Sequence, residues 1–600
     1  MNIFNLYILL LINISFSFSL LNDKEDYIDL IDESILPKKN DRDYYYLSIL
    51  HTNDIHGSFY PKKILLPSGI VYSVGGLEYL GKYYKILREE WGDQFMYFDS
   101  GDHFQGGIEG YISKGQIIMN FFNASDIKNS PLGNHEFDYG VDFLIDYMNT
   151  ANFEWLIANV KNITQNSYES FPKQKKTKIY ELKNGIKIGL IGILTEETKT
   201  STTITLDDLY FEDYAKVINT EAEKMKNEGV DAVIVLAHVG MECSNEETKL
   251  EYLLRDHNYE ICDSSDEAAV LLPKLNNENV DLFLGGHKHS VEHQWINDIL
   301  FVSNDKNGKY ADIVYLPFNR NTKKLNKSLI KTEGPLPICE KIFKRNKLCD
   351  VTVLTIEEEK ALEGLYNYKF HGYEISKEGN ISKIGQKYQE IYDEYDKDFL
   401  TYTLDHFEST KKNENNLGNL YCDFLRHISG ADISVINAGN FRTPLYRGNI
   451  TNATIQSFDP FGNSIVKFKI TGAEIKKMFS QLQKGNKSFY PSSGLRMLVK
   501  QSPKKLLSIK YYDGFQEFEI EDDKIYTMAS SVYCFPIDGS IGGDDFSEVY
   551  KWFKPKDAEI VKHKGYDNSR DLFINYLRNI DQLKESKYYD KDNLRLRIIG

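Results

Sequence analysis

A chain of 600 residues with 41% hydrophobic and 27% charged residues has the composition of a globular protein and the length for two large domains or more. Its 72 Lys and Arg against 88 Asp and Glu leave a net charge of −16, which excludes neutralising a polyphosphate backbone as its main work. No nucleic-acid polymer is expected as a partner, whereas a compact phosphate ligand stays open, because a site can be positive inside an acidic protein.

Residues 1–20 read as a secretory signal peptide. Leu6 to Ile14 is apolar except for Asn13, Ser17 and Ser19 offer a small-x-small cleavage site, and charge begins at Asp23. A signal anchor is the alternative. No second long apolar run and no C-terminal lipid-anchor signal follow, so no stable membrane anchor is expected and the protein is placed in the secretory lumen or outside the cell. In that oxidising setting Cys243–Cys262 and Cys339–Cys349 are local pairing candidates among six cysteines. Sequons at Asn123, Asn162, Asn326, Asn380, Asn449, Asn452 and Asn486 suit a glycoprotein.

Five segments then share one grammar, a short apolar run followed by a polar cluster with Gly: "YYYLSILHTNDIHG", "QFMYFDSGDHFQGG", "NSPLGNHEFDYG", "VDAVIVLAHVGM" and "VDLFLGGHKHS". Such runs predict buried strands, and helical patterns lie between them at "GLEYLGKYYKILREEW" and "YAKVINTEAEKMKNEG". Strands alternating with helices predict an α/β domain whose ligands gather beyond the carboxyl ends of the strands. Each polar cluster sits at such an end.

The clusters collect Asp54, His56, Asp102, Asn134, His135, Asp138, His238, His287 and His289. A lone His beside a strand is an ordinary structural residue, but five clusters in one register point to a shared site. Mixed carboxylate, carboxamide and imidazole donors suit Zn²⁺, Mn²⁺ or a similar ion, and not calcium. The set is too large for one tetrahedral ion and suits two divalent metal ions sharing a carboxylate. A pair about 3.5–4 Å apart activates water at neutral pH and clamps an in-line displacement at phosphorus. Hydrolysis of a phosphate ester follows, with no protein nucleophile.

Residues 335–398 change texture, with charged helical stretches at "IEEEKALEGLYNYKF" and "KYQEIYDEYDKDFL", and read as a linker with helices. A second globular region spans 399–600, with strand-like "ADISVINAG" and "SIVKFKITG".

"ILHTNDIHG", "SGDHFQGG", "LGNHEFDYG", "AHVG" and "GGHKH" resemble the metal motifs of the calcineurin-like metallophosphoesterases, and HTNDxHG with GNHEFD is similar to their 5′-nucleotidase, UDP-sugar hydrolase and apyrase branch. The resemblance implies a four-layer αββα sandwich over 41–334 followed by a smaller α+β substrate-binding domain. It implies Asp54, His56, Asp102 and His289 around one metal, and Asp102, Asn134, His238 and His287 around the other. His289 stands where this branch often has an amide. His135 would face the substrate phosphate or protonate the leaving oxygen, with Asp138 holding its ring. Glu136 is expected to make structural hydrogen bonds.

In the second region, "NNLGNLYCDFL", "VINAGNFR", "FDPFGNSIVKFKITG", "SSGLRMLV" and "IGGDDF" resemble the C-terminal domain of that branch. The resemblance implies Asn437 and Arg442 near the nucleoside, Phe461 stacking on the base and Asp544 binding ribose. Tyr533 fits the second stacking position, with Phe535 as its competitor, and Asn413 replaces the usual arginine. The expected activity is a secreted metal-dependent nucleotide phosphohydrolase, most simply a 5′-nucleotidase. An apyrase or UDP-sugar pyrophosphatase, a phosphatase of another substrate and a nucleotide-binding protein without catalysis are the alternatives.

Overall fold

The computed structural model describes residues 27–164, 167–168, 171–202, 206–243, 262–408, 413–483, 490–500, 504–537, 542–543 and 546–599. The signal peptide, the sequon at Asn486, and Asp544 lie outside the described residues.

Among the described residues, thirteen strands form the two large sheets of the first domain. They are β1 (Tyr44–Thr52), β2 (Phe95–Asp99), β3 (Asn129–Ser130), β4 (Glu154–Leu156), β5 (Gln174–Lys175), β6 (Thr177–Glu181), β7 (Lys187–Leu194), β8 (Ala232–His238), β9 (Leu282–Leu284), β10 (Glu292–Ile296), β11 (Ile299–Ser303), β12 (Tyr310–Asn319) and β13 (Lys331–Pro337). One sheet runs β13-β12-β1-β2-β3-β4-β5 and the other β6-β7-β8-β9-β11-β10. The runs β1–β2–β3 and β7–β8–β9 are parallel, so each group delivers its carboxyl ends to one edge.

Strand alternation puts the layers in order. Leu47 and Ile49 of β1 meet Ile188 and Leu190 of β7 and Ile234 and Leu236 of β8 in a core between the sheets. The alternate residues Ile191, Ile193, Val233 and Val235 face outward, onto Val217, Ile218, Ala222 and Met225 of a helix at Tyr214–Asn227. On the other side Tyr46, Leu50 and Tyr97 pack with Leu77, Leu80 and Leu87 of a helix at Leu77–Trp91. Both helices occupy the segments expected of them. The result is helix, sheet, sheet, helix. The sheets approach so closely at β7 that a Cβ on Gly192 would lie 1.9 Å from the Leu156 carbonyl oxygen.

Residues 335–398 are not a free connector; they are built into the first domain. Ile342, Phe343, Tyr368 and Phe370 are buried in its core. A helix at Gly379–Lys397 lays Ile381, Ile384, Tyr388 and Tyr392 against it, and Tyr60 donates its hydroxyl to the Gly385 carbonyl at 2.6 Å. Those four residues form a helical stripe that the surrounding charges mask in the sequence. Cys243–Cys262 and Cys339–Cys349 are both bonded. The second domain has its own core around a sheet ordered Ser492–Ser493, Ile433–Val435, Ile525–Ser531, Ile465–Thr471, Lys556–Ile560.

The contact at Gly192 predicts a sharp contrast. Gly192→Ala forces backbone apart between the sheets and should lower stability by about 1–3 kcal/mol, the usual range for overpacking. Gly379→Ala, with nothing within 4 Å of the added carbon, should be neutral or stabilising. Thermal unfolding midpoints of the two variants against wild type check the opposite signs.

Candidate metal centre and nucleotide site

The loops after β1, β2, β3, β8 and β9 bring the polar clusters to one place. His56 Nε2 lies 3.5 Å from Asp54 Oδ1, 3.7 Å from Asp102 Oδ2 and 3.0 Å from His289 Nε2. One donor atom each from Asp54, His56, Asp102 and His289 falls within 4.8 Å of all the others. Asp102 Oδ2 also lies 3.1 Å from His238 Nε2, which is 3.2 Å from Asn134 Oδ1. Asp102 therefore stands between both groups. The His287 ring packs on His238 with centroids 5.1 Å apart, but its Nε2 is 2.9 Å from Glu197 Oε2, so the nitrogen it has for the centre is Nδ1.

Backbone geometry explains why loops of this composition are needed. Asp54, His56, Asp102, His287 and His289 all have positive φ, which non-glycine residues seldom adopt and which gathers at functional sites. A Cβ on Gly133 would lie 2.1 Å from Asp102 Oδ1, so only glycine lets the third loop approach that carboxylate. Glu136 makes structural hydrogen bonds, accepting from the backbone N–H of Asp102, His103 and Gly133 at 2.6–2.9 Å. The rings are oriented from behind: His56 Nδ1 lies 2.8 Å from the Gln105 carbonyl and His238 Nδ1 2.7 Å from the Ser100 carbonyl, which turns each Nε2 to the centre.

The residues fit a divalent ion. Asp54 Oδ1 is buried without a hydrogen bond, and two imidazole nitrogens face each other at 3.0 Å. Two carboxylates with neutral nitrogen and amide donors form the mixed set that zinc- or manganese-like ions take. Burial would raise the Asp54 and Asp102 carboxyls, but the neighbouring imidazoles outweigh it and hold both well below the usual carboxylate range. Burial would lower His238, but Asp102 and Asp54 push it up to about 10. Burial and the Arg442 charge push His56 down to about 4.

His135 stands beside this cluster, its ring centroid 5.5 Å from that of His56. Its Nδ1 is 2.6 Å from Asp138 Oδ2, and its backbone N–H donates to Asp102 Oδ1 at 3.0 Å. The second domain reaches the same spot. Arg442 Nη2 lies 3.0 Å from His56 Nε2, so this arginine sits at the metal cluster itself, and its guanidinium is 5.7 Å from the Phe461 ring. Phe461 is 5.8 Å from His135. Tyr533 is half-buried and donates its hydroxyl to the Thr200 carbonyl at 3.2 Å, whereas Phe535 is wholly buried against Phe468, Phe546 and Phe553. Of the two aromatics only Tyr533 has a face to offer. Asn437 is buried and its Oδ1 accepts from the Cys534 thiol at 3.5 Å, while Asn413 is exposed.

Two residues escaped the motifs, and a third, Asp459, lies within one without having been given a role. Glu197 and Thr202 follow β7 in "LTEETKTST", a polar run at a strand end like the other five but lacking the glycines and histidines that marked them. Asp459 fixes the loop that carries Phe461, accepting from Tyr421 Oη, Ser569 Oγ and the Gly462 N–H.

Residues 47–291 match the calcineurin-like phosphoesterase family, and residues 400–547 match the 5′-nucleotidase C-terminal domain. An apyrase of Aedes aegypti is 24% identical over 92% of this chain and 91% of its own. A 5′-nucleotidase of Mus musculus is 24% identical over 91% of this chain and 90% of its own. The crystal structure of a 5′-nucleotidase precursor from Thermus thermophilus, 19% identical, superposes with a TM-score of 0.71 over 93% of this chain and all of that one. The chain belongs to the calcineurin-like metallophosphoesterases, in the branch that carries a 5′-nucleotidase C-terminal domain, and is a metal-dependent phosphoester hydrolase.

Proposed function

We propose that the protein hydrolyses nucleoside 5′-monophosphates to nucleoside and phosphate at a centre of two divalent ions, and that it works in the secretory lumen or outside the cell. The observation that carries this reading is the meeting of Arg442 and Phe461, from one domain, with His56 and His135, from the other. On this reading the groups that would bind the base and those that would act on the phosphate lie side by side.

Asp54, His56, Asp102 and His289 would hold one ion, and Asp102, Asn134, His238 and His287 the second. Bound there, the ions supply Lewis acidity, which polarises a phosphoryl oxygen and lowers the pKa of water. The protein's own groups do the rest. Asp138 takes the Nδ1 side of His135, which leaves Nε2 to stabilise the transferring group or to protonate the leaving oxygen. The Arg442 Nε–H is buried without a hydrogen-bond partner and is free to bond a phosphoryl oxygen. Phe461 and Tyr533 would stack on the base, with Asn437 and Asp544 taking polar groups of the nucleoside. Secretion is supported by the N-terminal signal pattern and the two disulfides, and Asn380 and Asn449 are exposed sequons. Among the described residues no helix is long and apolar enough to cross a membrane.

The decisive experiment resolves the products from AMP, ADP, ATP, UDP-glucose and 2′,3′-cyclic AMP, with and without exhaustive chelation. AMP should yield adenosine and phosphate, chelation should abolish turnover, and Mn²⁺, Co²⁺ or Zn²⁺ should restore it. Full turnover by verified metal-free protein overturns the reading, and cleavage of ADP and ATP with AMP inert moves it to an apyrase.

His135 touches substrate and not metal, so His135→Ala should keep wild-type metal content and lose about 10²–10⁴ in kcat. Metal analysis beside steady-state kinetics checks this, and loss of metal with recovery of rate in excess ion would make His135 a ligand.

Phe461→Ala and Tyr533→Ala should each forfeit stacking of about 0.5–1.5 kcal/mol beyond lost area, raising KM for AMP while sparing p-nitrophenyl phosphate. Phe535→Ala should instead destabilise the second domain by about 3–5 kcal/mol, as expected of a buried ring. Titration of AMP and thermal unfolding separate the two effects.

A further inference from the structure

We infer that the short segment Thr195–Thr202, which lies outside the five quoted metal motifs, is a positioning element: Glu197 fixes which nitrogen His287 presents to the metal centre, and Thr202 fixes Asp138 of the His135–Asp138 pair. The inference rests on the proposed ligand and acid roles of His287 and His135.

The segment leaves β7 at the same edge as the metal loops. Glu197 Oε2 is 2.9 Å from His287 Nε2. A carboxylate can only accept, so this contact places the ring proton on Nε2 and leaves the Nδ1 lone pair for an ion. Lys288 Nζ, 3.6 Å from the same oxygen and 3.6 Å from Asp266, balances the carboxylate's charge. Five residues on from Glu197, Thr202 is buried and donates its hydroxyl to Asp138 Oδ1 at 3.0 Å, while Asp138 Oδ2 takes His135. Both oxygens of Asp138 are therefore directed, one by the segment and one by the ring.

The segment is itself held. Thr195 donates its hydroxyl to Glu267 Oε2 at 2.7 Å, Tyr214 donates to the other oxygen of Glu267 at 2.9 Å, and the Glu197 N–H donates to Thr195 Oγ1 at 3.0 Å. Thr198 is buried and closes the turn on the Thr195 carbonyl at 2.7 Å. Tyr533 of the second domain donates to the Thr200 carbonyl at 3.2 Å, so one stretch of eight residues touches a metal-site histidine, the catalytic pair and the aromatic that would hold the base.

The two halves predict separable defects in the full-length protein. In calorimetric titration of chelator-stripped protein with Mn²⁺, Glu197→Ala should bind one of the two ions about 10–100-fold more weakly, the usual effect of losing a carboxylate behind a ligating histidine. Glu197→Gln, which keeps an acceptor oxygen, should recover most of that affinity. Thr202→Val should keep wild-type Mn²⁺ binding and KM while kcat falls several-fold, and Thr202→Ser should restore kcat. His287→Ala is the control for the underlying reading: if it binds Mn²⁺ like wild type, His287 is not a ligand and that assignment falls first. If His287→Ala loses an ion while Glu197→Ala binds like wild type, the positioning role is overturned. Loss in Glu197→Ala of a third ion, with the other two intact, also overturns it, because Glu197, Glu267 and His287 would then be ligands themselves. Thr202→Val with wild-type kcat overturns the second half.

Discussion

Everything in this molecule is arranged around two carboxylates, those of Asp54 and Asp102, buried at the ends of neighbouring parallel strands. A buried ion without compensation costs several kcal/mol, so such a pair is tolerable only among matching charges and donors. The surroundings provide them: His238 and the His135 N–H on Asp102, and the Asn53 amide and His287 N–H on Asp54. The loops that make those contacts adopt positive φ at five non-glycine positions, each costing about 1–3 kcal/mol. Only a rigid support can hold that strain. The two-sheet core with Gly192 pressed on Leu156 is such a support, since neither sheet can shift without opening packed apolar contacts.

The second domain completes the site by adding charge of the opposite sign. Arg442 is buried, and Asp102, Asp138 and Asp54 are the anionic groups that act most on it. Its Nε–H is buried without a hydrogen-bond partner, and under the proposed function it would donate to a phosphoryl oxygen. Its guanidinium lies over Phe461, whose loop is tied down by Asp459, so the arginine and the aromatic face are placed by one local structure. In the proposed function, recognition of base and of phosphate would thus be linked by geometry although they belong to different chemistries.

The residues legible in the sequence were those that carry metal-binding chemistry in a recurring pattern. Carboxylates, imidazoles and glycines recurring at strand ends marked the candidate centre, and the structure brings Asp54, His56, Asp102 and His289 within reach of one point. What could not be read were roles that many residue types can fill. Ile381, Ile384, Tyr388 and Tyr392 dock a helix through a stripe diluted by charges, so 335–398 read as a linker. Tyr533 and Phe535 are both aromatic and two residues apart; only the course of the turn after Ile525–Ser531 sends one outward and the other into the core. Glu197 and Thr202 act through a second residue, and supporting groups of that kind carry no fixed spacing relative to a motif.

The distribution of roles between the domains has an energetic consequence. Interactions with the base are the same before and during phosphoryl transfer, so they lower KM without accelerating chemistry, whereas donors aimed at the phosphoryl group gain strength as charge develops there. On the proposed assignment Phe461 and Tyr533 belong to the first kind, His135 and Arg442 to the second. The proposed metal donors all come from the first domain, and of the second domain's groups only Arg442 reaches them, so on that assignment the base-stacking rings lie outside the reacting centre. Under the proposed function, substrate range would change through residues such as Asn413 and Tyr533 while the constellation around Asp54 and Asp102 stays fixed, the separation of site chemistry from fold expected of a hydrolytic centre reused on different substrates.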